Sequence, residues 1–190
     1  MRKLLIICFS LILSCISFAQ EEHMKFMGIP LDGTINEFQA KLATKGVTVA
    51  YEESKSAGVG KRVFKGSFSG KEAYIFVSYD DKTKIVYRAT VGFYSYKESI
   101  NDSNYKYFLE LLSIKYSTAE PKNSTFEGQE MTTFPVPCVE ATDYKYLGWI
   151  NVSRKIVTNW SEISDHYYLY IDYFDRINWI KHENMSKDDL

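Results

Sequence analysis

Cysteine is nearly absent from this chain, with three among 190 residues, and two of them, Cys8 and Cys15, lie in the first nineteen. Beyond those only Cys138 remains, so no intramolecular disulfide can form there, and stability has to come from burial and hydrogen bonding. Histidine is as scarce, at His23, His166 and His182, and no His-x-His or Glu-x-x-His partner stands beside His166, where zinc sites usually need three or four ligands. No glycine-rich phosphate loop and no complete catalytic motif occurs. An excess of positive charge is also missing: 23 basic against 24 acidic residues give a net charge of −1, which leaves nothing to attract nucleic acid.

Among the features present, the N-terminus is the most informative. Met1, Arg2 and Lys3 form a charged start, Leu4 to Ile16 an apolar run, and Ser17-Phe18-Ala19 a small-x-small cleavage site, the arrangement of a secretory signal peptide over residues 1 to 19. The mature chain is then expected to begin at Gln20, with a net charge of −3 once Arg2 and Lys3 are gone. The ending Phe18-Ala19-Gln20 resembles the signals of secreted proteins from Gram-negative bacteria and places the product in the periplasm or outside the cell. Two alternatives use the same residues. An uncleaved helix would be shorter than the ~20 residues a bilayer core needs. Lipidation of Cys15 would use Ile12-Leu13-Ser14-Cys15 as a lipoprotein box, in which Leu13 fits poorly. No membrane span is expected after cleavage.

Fifteen tyrosines, twelve phenylalanines and three tryptophans bring the aromatic content to 16%, which suits a β-rich globular fold. One domain is expected over residues 20 to 182, with halves of about 24 to 96 and 97 to 182, followed by a polar tail over 183 to 190. Thr34 with Glu37 forms a capping box, and Ile35, Phe38 and Leu42 recur at helical spacing until Gly46, predicting a helix from Thr34 to Lys45. Strands follow at Val47 to Tyr51, Arg62 to Phe68, Glu72 to Tyr79 and Ile85 to Phe93. In the last, Ile85, Tyr87, Ala89, Val91 and Phe93 are expected on one face. Ser69-Gly70 and Asp80 to Lys84 read as hairpin connections, and Tyr51 to Lys61 as a mobile loop.

The second half predicts a helix from Ser103 to Tyr116 whose apolar face is Phe108, Leu111, Leu112 and Ile114. A loop over Pro121 to Gln129 and strands at Val136 to Thr142, Tyr146 to Val152 and Tyr167 to Phe174 follow, while Ser153 to His166 stays ambiguous. The helices align as Phe38-x-x-x-Leu42-x-x-Lys45 against Phe108-x-x-x-Leu112-x-x-Lys115, which points to a duplication. The fold class is therefore α+β: an antiparallel sheet built from two similar halves, each a helix followed by strands, with both helices on one face.

The lead-in Gly28-Ile29-Pro30-Leu31-Asp32-Gly33, the helix ending Lys45-Gly46, the strand Phe64-Lys65-Gly66-Ser67-Phe68-Ser69-Gly70 and the late Tyr170-Ile171-Asp172-Tyr173 together resemble a group of secreted bacterial proteins of unknown function. The resemblance runs over most of the mature chain. Its tandem helix-plus-sheet plan is similar to the β-lactamase-inhibitor-protein-like fold and to small outer-membrane lipoproteins, which implies a protein-binding module. The disulfide pairs of the secreted inhibitors are missing here, so inhibition is not carried over.

Each candidate site has a plainer explanation beside it. Cys138 reads as a small buried hydrophobe unless a histidine meets it in space. His166 reads as a solvent-facing histidine, Asp80 and Asp81 as turn formers, and Asp172 and Asp175 as strand-end carboxylates near Arg176. Five Asn-x-Ser/Thr sequons, at Asn101, Asn123, Asn151, Asn159 and Asn184, carry meaning only in a eukaryotic secretory protein. The positive signal is aromatic: Tyr74 and Phe76 on one strand, and Tyr168 and Tyr170 on another, are expected to share the sheet face away from the helices. These four are the candidate binding residues. The function expected is a non-enzymatic module that binds an envelope or extracellular protein, with a glycan or peptide ligand as the alternative and a hydrolase as the third possibility. No cofactor, metal or nucleic acid enters these expectations.

Overall fold

The computed structural model describes residues 22–116, 120–126, 129–138, 145–158 and 165–187. The segment 1–19 expected to be a signal peptide, with Cys15, and Asn159, the stretch from 139 to 142 expected as part of a strand and the last three residues of the tail lie outside them. A small hairpin of β1 (Lys25–Phe26) and β2 (Ile29–Pro30) leads into α1 (Ile35–Ala43). The Thr34 hydroxyl accepts from the Glu37 amide while the Glu37 carboxylate accepts from the Thr34 amide, so the capping box forms as the sequence predicts. Then come β3 (Thr48–Val49), α2 (Tyr51–Ala57), β4 (Lys61–Phe68), β5 (Lys71–Tyr79), β6 (Val86–Ser95) and α3 (Glu98–Lys115). The chain continues through β7 (Lys122–Phe126), β8 (Gln129–Pro137), β9 (Tyr146–Thr158), β10 (Asp165–Asp175) and α4 (Arg176–Lys187).

Eight strands form one antiparallel sheet in the order β3-β4-β5-β6-β10-β9-β8-β7. Each half is thus a helix followed by four strands that pair in chain order, with α2 set between β3 and β4 of the first, and the halves join where their last strands, β6 and β10, pair. The period of two along a strand sends alternate residues to opposite faces. Across the sheet Phe64, Ile75, Val91, Ile171 and Val152 stand opposite one another, and all five are completely buried. They share one apolar core with Ile35, Phe38 and Leu42 of α1 and with Tyr105, Phe108 and Leu112 of α3. Both helices therefore pack on the same face.

Several details depart from the sequence expectations, each for a local reason. Pairing slips between Ser78 and Tyr79, whose partners are Arg88 and Val86, so Tyr87 is the extra residue of a bulge. Val86, not Ile85 or Tyr87, then continues the buried series of Ala89, Val91 and Phe93, and the Tyr87 ring meets Trp179 and His182 instead. On α3, Leu111 and Ile114 stay exposed at 39% and 70%, and the buried face is completed by Tyr105 and Asn101. The loop expected before Gln129 contains β7. The strand placed at Val136 to Thr142 starts earlier and ends at Pro137. Because β7 pairs only as far as Thr133, Pro135 and Pro137 sit where β8 has become an edge, the setting in which a missing amide proton is tolerated.

Two helices lie where none was expected. The segment from Tyr51, read as a mobile loop, is α2, a seven-residue helix with no fully buried residue. The Ser54 hydroxyl holds it to β4, donating to the Val63 carbonyl at 3.0 Å and accepting from the Val63 amide at 2.9 Å. Residues 183 to 187 of the polar tail belong to α4, which Asp175 starts by accepting from the Asn178 amide at 2.8 Å. Asp175 is also fully buried and accepts from the Met24 amide at 2.8 Å, with His23 Nδ1 at 3.0 Å, tying the two ends of the described chain together. The Asn178 amide group donates to the Leu31 and Val86 carbonyls. None of the helices among the described residues is long and apolar enough to cross a membrane.

Candidate functional site: the aromatic sheet face

The residues that alternate with the core rows form the other face. Lys65, Tyr74, Gly92, Tyr170, Ser153 and Met131 stand opposite one another across β4, β5, β6, β10, β9 and β8. The adjacent row holds Val63, Phe76, Thr90, Asp172, Asn151 and Thr133. Tyr168 stands opposite Tyr94, one step further along. Register therefore brings Tyr74, Phe76, Tyr168 and Tyr170 to the same face on strands that flank β6, as the alternation of the sequence predicts.

Gly92 decides how these rings meet. A Cβ there would stand 3.2 Å from the Phe76 ring and 3.4 Å from the Tyr170 ring, so the absent side chain lets rings from β5 and β10 close over the strand between them. The Tyr168 and Tyr170 rings lie 5.8 Å apart and nearly parallel, at 3°. Tyr74 and Phe76 are 6.5 Å apart. The series extends through Tyr94, 5.6 Å from Tyr168, to Tyr96, 4.8 Å from Tyr94. Tyr94 and Tyr96 are 44% and 66% exposed and belong to the same surface, although sequence reasoning passed over them. The signal was the alternation Gly92, Tyr94, Tyr96 running on past the expected end of the strand at Phe93.

A polar cluster stands next to the rings. Arg88 donates to Asp172 Oδ1 through Nε at 2.9 Å and Nη2 at 2.6 Å, and the Thr90 hydroxyl donates to the same oxygen. Asp172 is 8% exposed, so this carboxylate is not the open surface group expected of a strand end. The Arg88 guanidinium also lies 4.6 Å from the Phe174 ring centre. Burial first, then the neighbouring Tyr168 and Asp172, raise the Tyr170 pKa, and its phenol stays a neutral hydrogen-bonding group. Beside the rings opens a shallow depression of about 670 Å³ bordered by Lys65, Glu72, Tyr74 and Tyr94.

The face is not bare of helices, contrary to the expectation. At the β4 border Glu53 of α2 accepts from the Tyr74 hydroxyl at 3.3 Å and pairs with Lys65 at 2.7 Å. At the opposite end Trp179 of α4 meets Phe174 and Tyr87, and Phe174 stacks on Trp149. The aromatic patch is the stretch between these two helices.

The remaining candidates scatter. Cys138 packs against the core, partly buried. His182 bonds Asp80 at 2.9 Å and His23 bonds Asp175, so these two histidines are paired with separate aspartates. Asp80 accepts from the Lys82 and Thr83 amides and shapes the β5–β6 turn, and Asp81 pairs with Lys84 at 2.8 Å. The His166 side chain lies outside the described residues. Among those described, no group of three or more His, Cys, Asp or Glu side chains is placed to hold a metal ion. No protein-family model matches the chain, and neither a curated protein nor a solved structure matches it.

Proposed function

We propose that this chain is a non-enzymatic binding module of the bacterial envelope or its surroundings, docking another protein on the aromatic face of its sheet. One observation supports the reading above others: Tyr74, Phe76, Tyr94, Tyr168 and Tyr170 on three adjacent strands, with Tyr96 just past the end of β6, form a continuous ring surface between α2 and α4. Tyrosine tolerates water at its hydroxyl and offers ring area to a partner, so such a surface is stable alone and gains when covered. A rigid sheet holds the rings in place, which lowers the ordering cost of docking. The parallel pair Tyr168 and Tyr170 favours a second reading, a glycan stacking flat on the two rings.

A photo-crosslinker in place of Tyr96 should join the protein to one envelope or extracellular protein. Replacing Tyr168 and Tyr170 together by alanine should weaken that complex by about 2 kcal/mol or more with the fold intact. Unfolding of the double variant would assign the rings to the core and end the proposal; retention on a glycan array without a protein crosslink would select the second reading. The location rests on the first nineteen residues. The intact mass of the protein from the producing cell should correspond to a chain starting at Gln20, whereas a diacylglyceryl adduct at Cys15 would make it a lipoprotein.

A further inference from the structure

On the opposite side of the molecule, between the helices of the two halves, lies a second cavity of about 600 Å³. Its walls come from the turn of the β1–β2 hairpin, the end of α1, the β4–β5 turn and the second half of α3, and its base from β10. The base and walls are apolar: Phe68, Phe108, Leu112, Ile171 and Tyr173 are buried residues of the core that also line the opening. The rim is cationic. Lys25, Lys45 and Lys115 all border it, no aspartate or glutamate does, and none of the three lysines has a carboxylate partner among the described residues. Burial raises the Tyr173 pKa, with nearby Tyr116 adding to it, so that phenol brings no negative charge to the base. Leu111, the α3 side chain that the sequence assigned to the core, is 39% exposed at the mouth.

We propose that this cavity binds a single-chain amphiphile with an anionic head, the chain lying against Phe68, Phe108 and Leu112 and the head held by Lys25, Lys45 and Lys115. The volume falls within the roughly 300 to 1,000 Å³ of small-molecule sites, which are largely apolar with a few polar groups that fix orientation. Three lysines with no carboxylate among the lining residues select the sign of the head, and the apolar lining of Phe68, Phe108 and Leu112 suits a tail better than a compact anion. Lysine stems lie along apolar surface while their charges reach water, so the same three residues can line both parts of the ligand. The site is separate from the aromatic face and does not depend on the proposed docking there.

The test is calorimetric titration of the protein, as purified from its producing cells, with dodecanoate, dodecanol and dodecyltrimethylammonium, all below their micelle concentrations. Dodecanoate should bind at one site, dodecanol at least about tenfold more weakly, and the cationic amphiphile more weakly still. Replacing Lys25, Lys45 and Lys115 together by glutamine, all exposed positions, should bring dodecanoate down to the affinity of dodecanol and leave dodecanol unchanged. Leu111→Trp should fill the mouth and weaken both at an unchanged melting temperature; should that variant not fold, the lysine variant decides alone. Absence of dodecanoate binding, equal binding of the three amphiphiles, indifference to the lysine substitutions, or binding only to anionic vesicles would each overturn the proposal. The Tyr168 and Tyr170 double variant should bind dodecanoate normally, which keeps this result distinct from that of the docking surface.

Discussion

The two sides of this sheet are held by different forces. Under α1 and α3 the contacts are apolar: Phe64, Ile75, Val91, Ile171 and Val152 share one buried cluster with Phe38, Leu42, Phe108 and Leu112. On the other side polar bonds take a larger part: α2 is held through Ser54 to Val63 and Glu53 to Lys65 and Tyr74, and α4 through His182 to Asp80 and Asp175 to Asn178, Met24 and His23, beside the ring contacts of Trp179 with Phe174 and Tyr87. Apolar burial scales with area and is indifferent to protonation, whereas the polar fastenings depend on charge state. The first side should therefore set the global stability and the second the response to pH. Rings left between two lightly fastened helices can face a partner without weakening the fold.

The sharpest test of that contrast sets two neighbours on β10 against each other. Ile171→Ala removes a fully buried side chain at the centre of the core and should cost about 3 kcal/mol in denaturant unfolding. Tyr170→Ala, one residue away on the open face, should cost about 1 kcal/mol. Equal losses would mean that the aromatic face is a second core.

A smaller effect probes the polar side. Asp80 is 6% exposed; burial raises its pKa, but the Thr83 amide, His182, the Thr83 hydroxyl and the Lys82 amide lower it by more, from an ordinary 3.8 to about 2. A depressed carboxylate stabilises the fold above its unfolded pKa and loses that contribution as the pH falls through the folded value. Asp80→Asn should therefore be less stable than the parent by about 2 kcal/mol at neutral pH, with the gap closing between about pH 4 and pH 2. A gap that persists at pH 2 would point to shape and not charge.

His23 gives the smallest expected effect and the opposite sign. Burial lowers its pKa, but the hydrogen bond and charge of Asp175 outweigh this and raise it above 6.5. A raised histidine contributes fully below its unfolded pKa and loses that contribution as pH rises through the folded one. The melting temperature should fall between pH 6 and pH 8, and His23→Asn should flatten that slope. An unchanged slope would remove His23 from the fastening of α4.

How much could be read in advance follows the same division. The apolar periodicity of Ile35, Phe38 and Leu42, the Thr34 and Glu37 cap, and the Ser69-Gly70 turn, whose residues both take positive φ at 51° and 76°, were legible because each is a local pattern. The aromatic face was legible through alternation on β5 and β10. α2 was not, because its hold is a serine hydroxyl reaching nine residues along the chain, and α4 was not, because its cap Asp175 has its other partners near the N-terminus. Tyr87 was misplaced because a one-residue bulge reverses the alternation that placed it.

The sequence by itself determined the α+β class, the pairing of consecutive strands and the positions of the main core residues, since period and turn chemistry are properties of neighbouring residues. Only the tertiary structure decided that β6 meets β10, and with it that Gly92 lets Phe76 and Tyr170 close into one surface and that Lys25, Lys45 and Lys115 ring a single cavity. Those contacts join residues far apart in the chain, and their geometry is set by the packing of the two halves against each other.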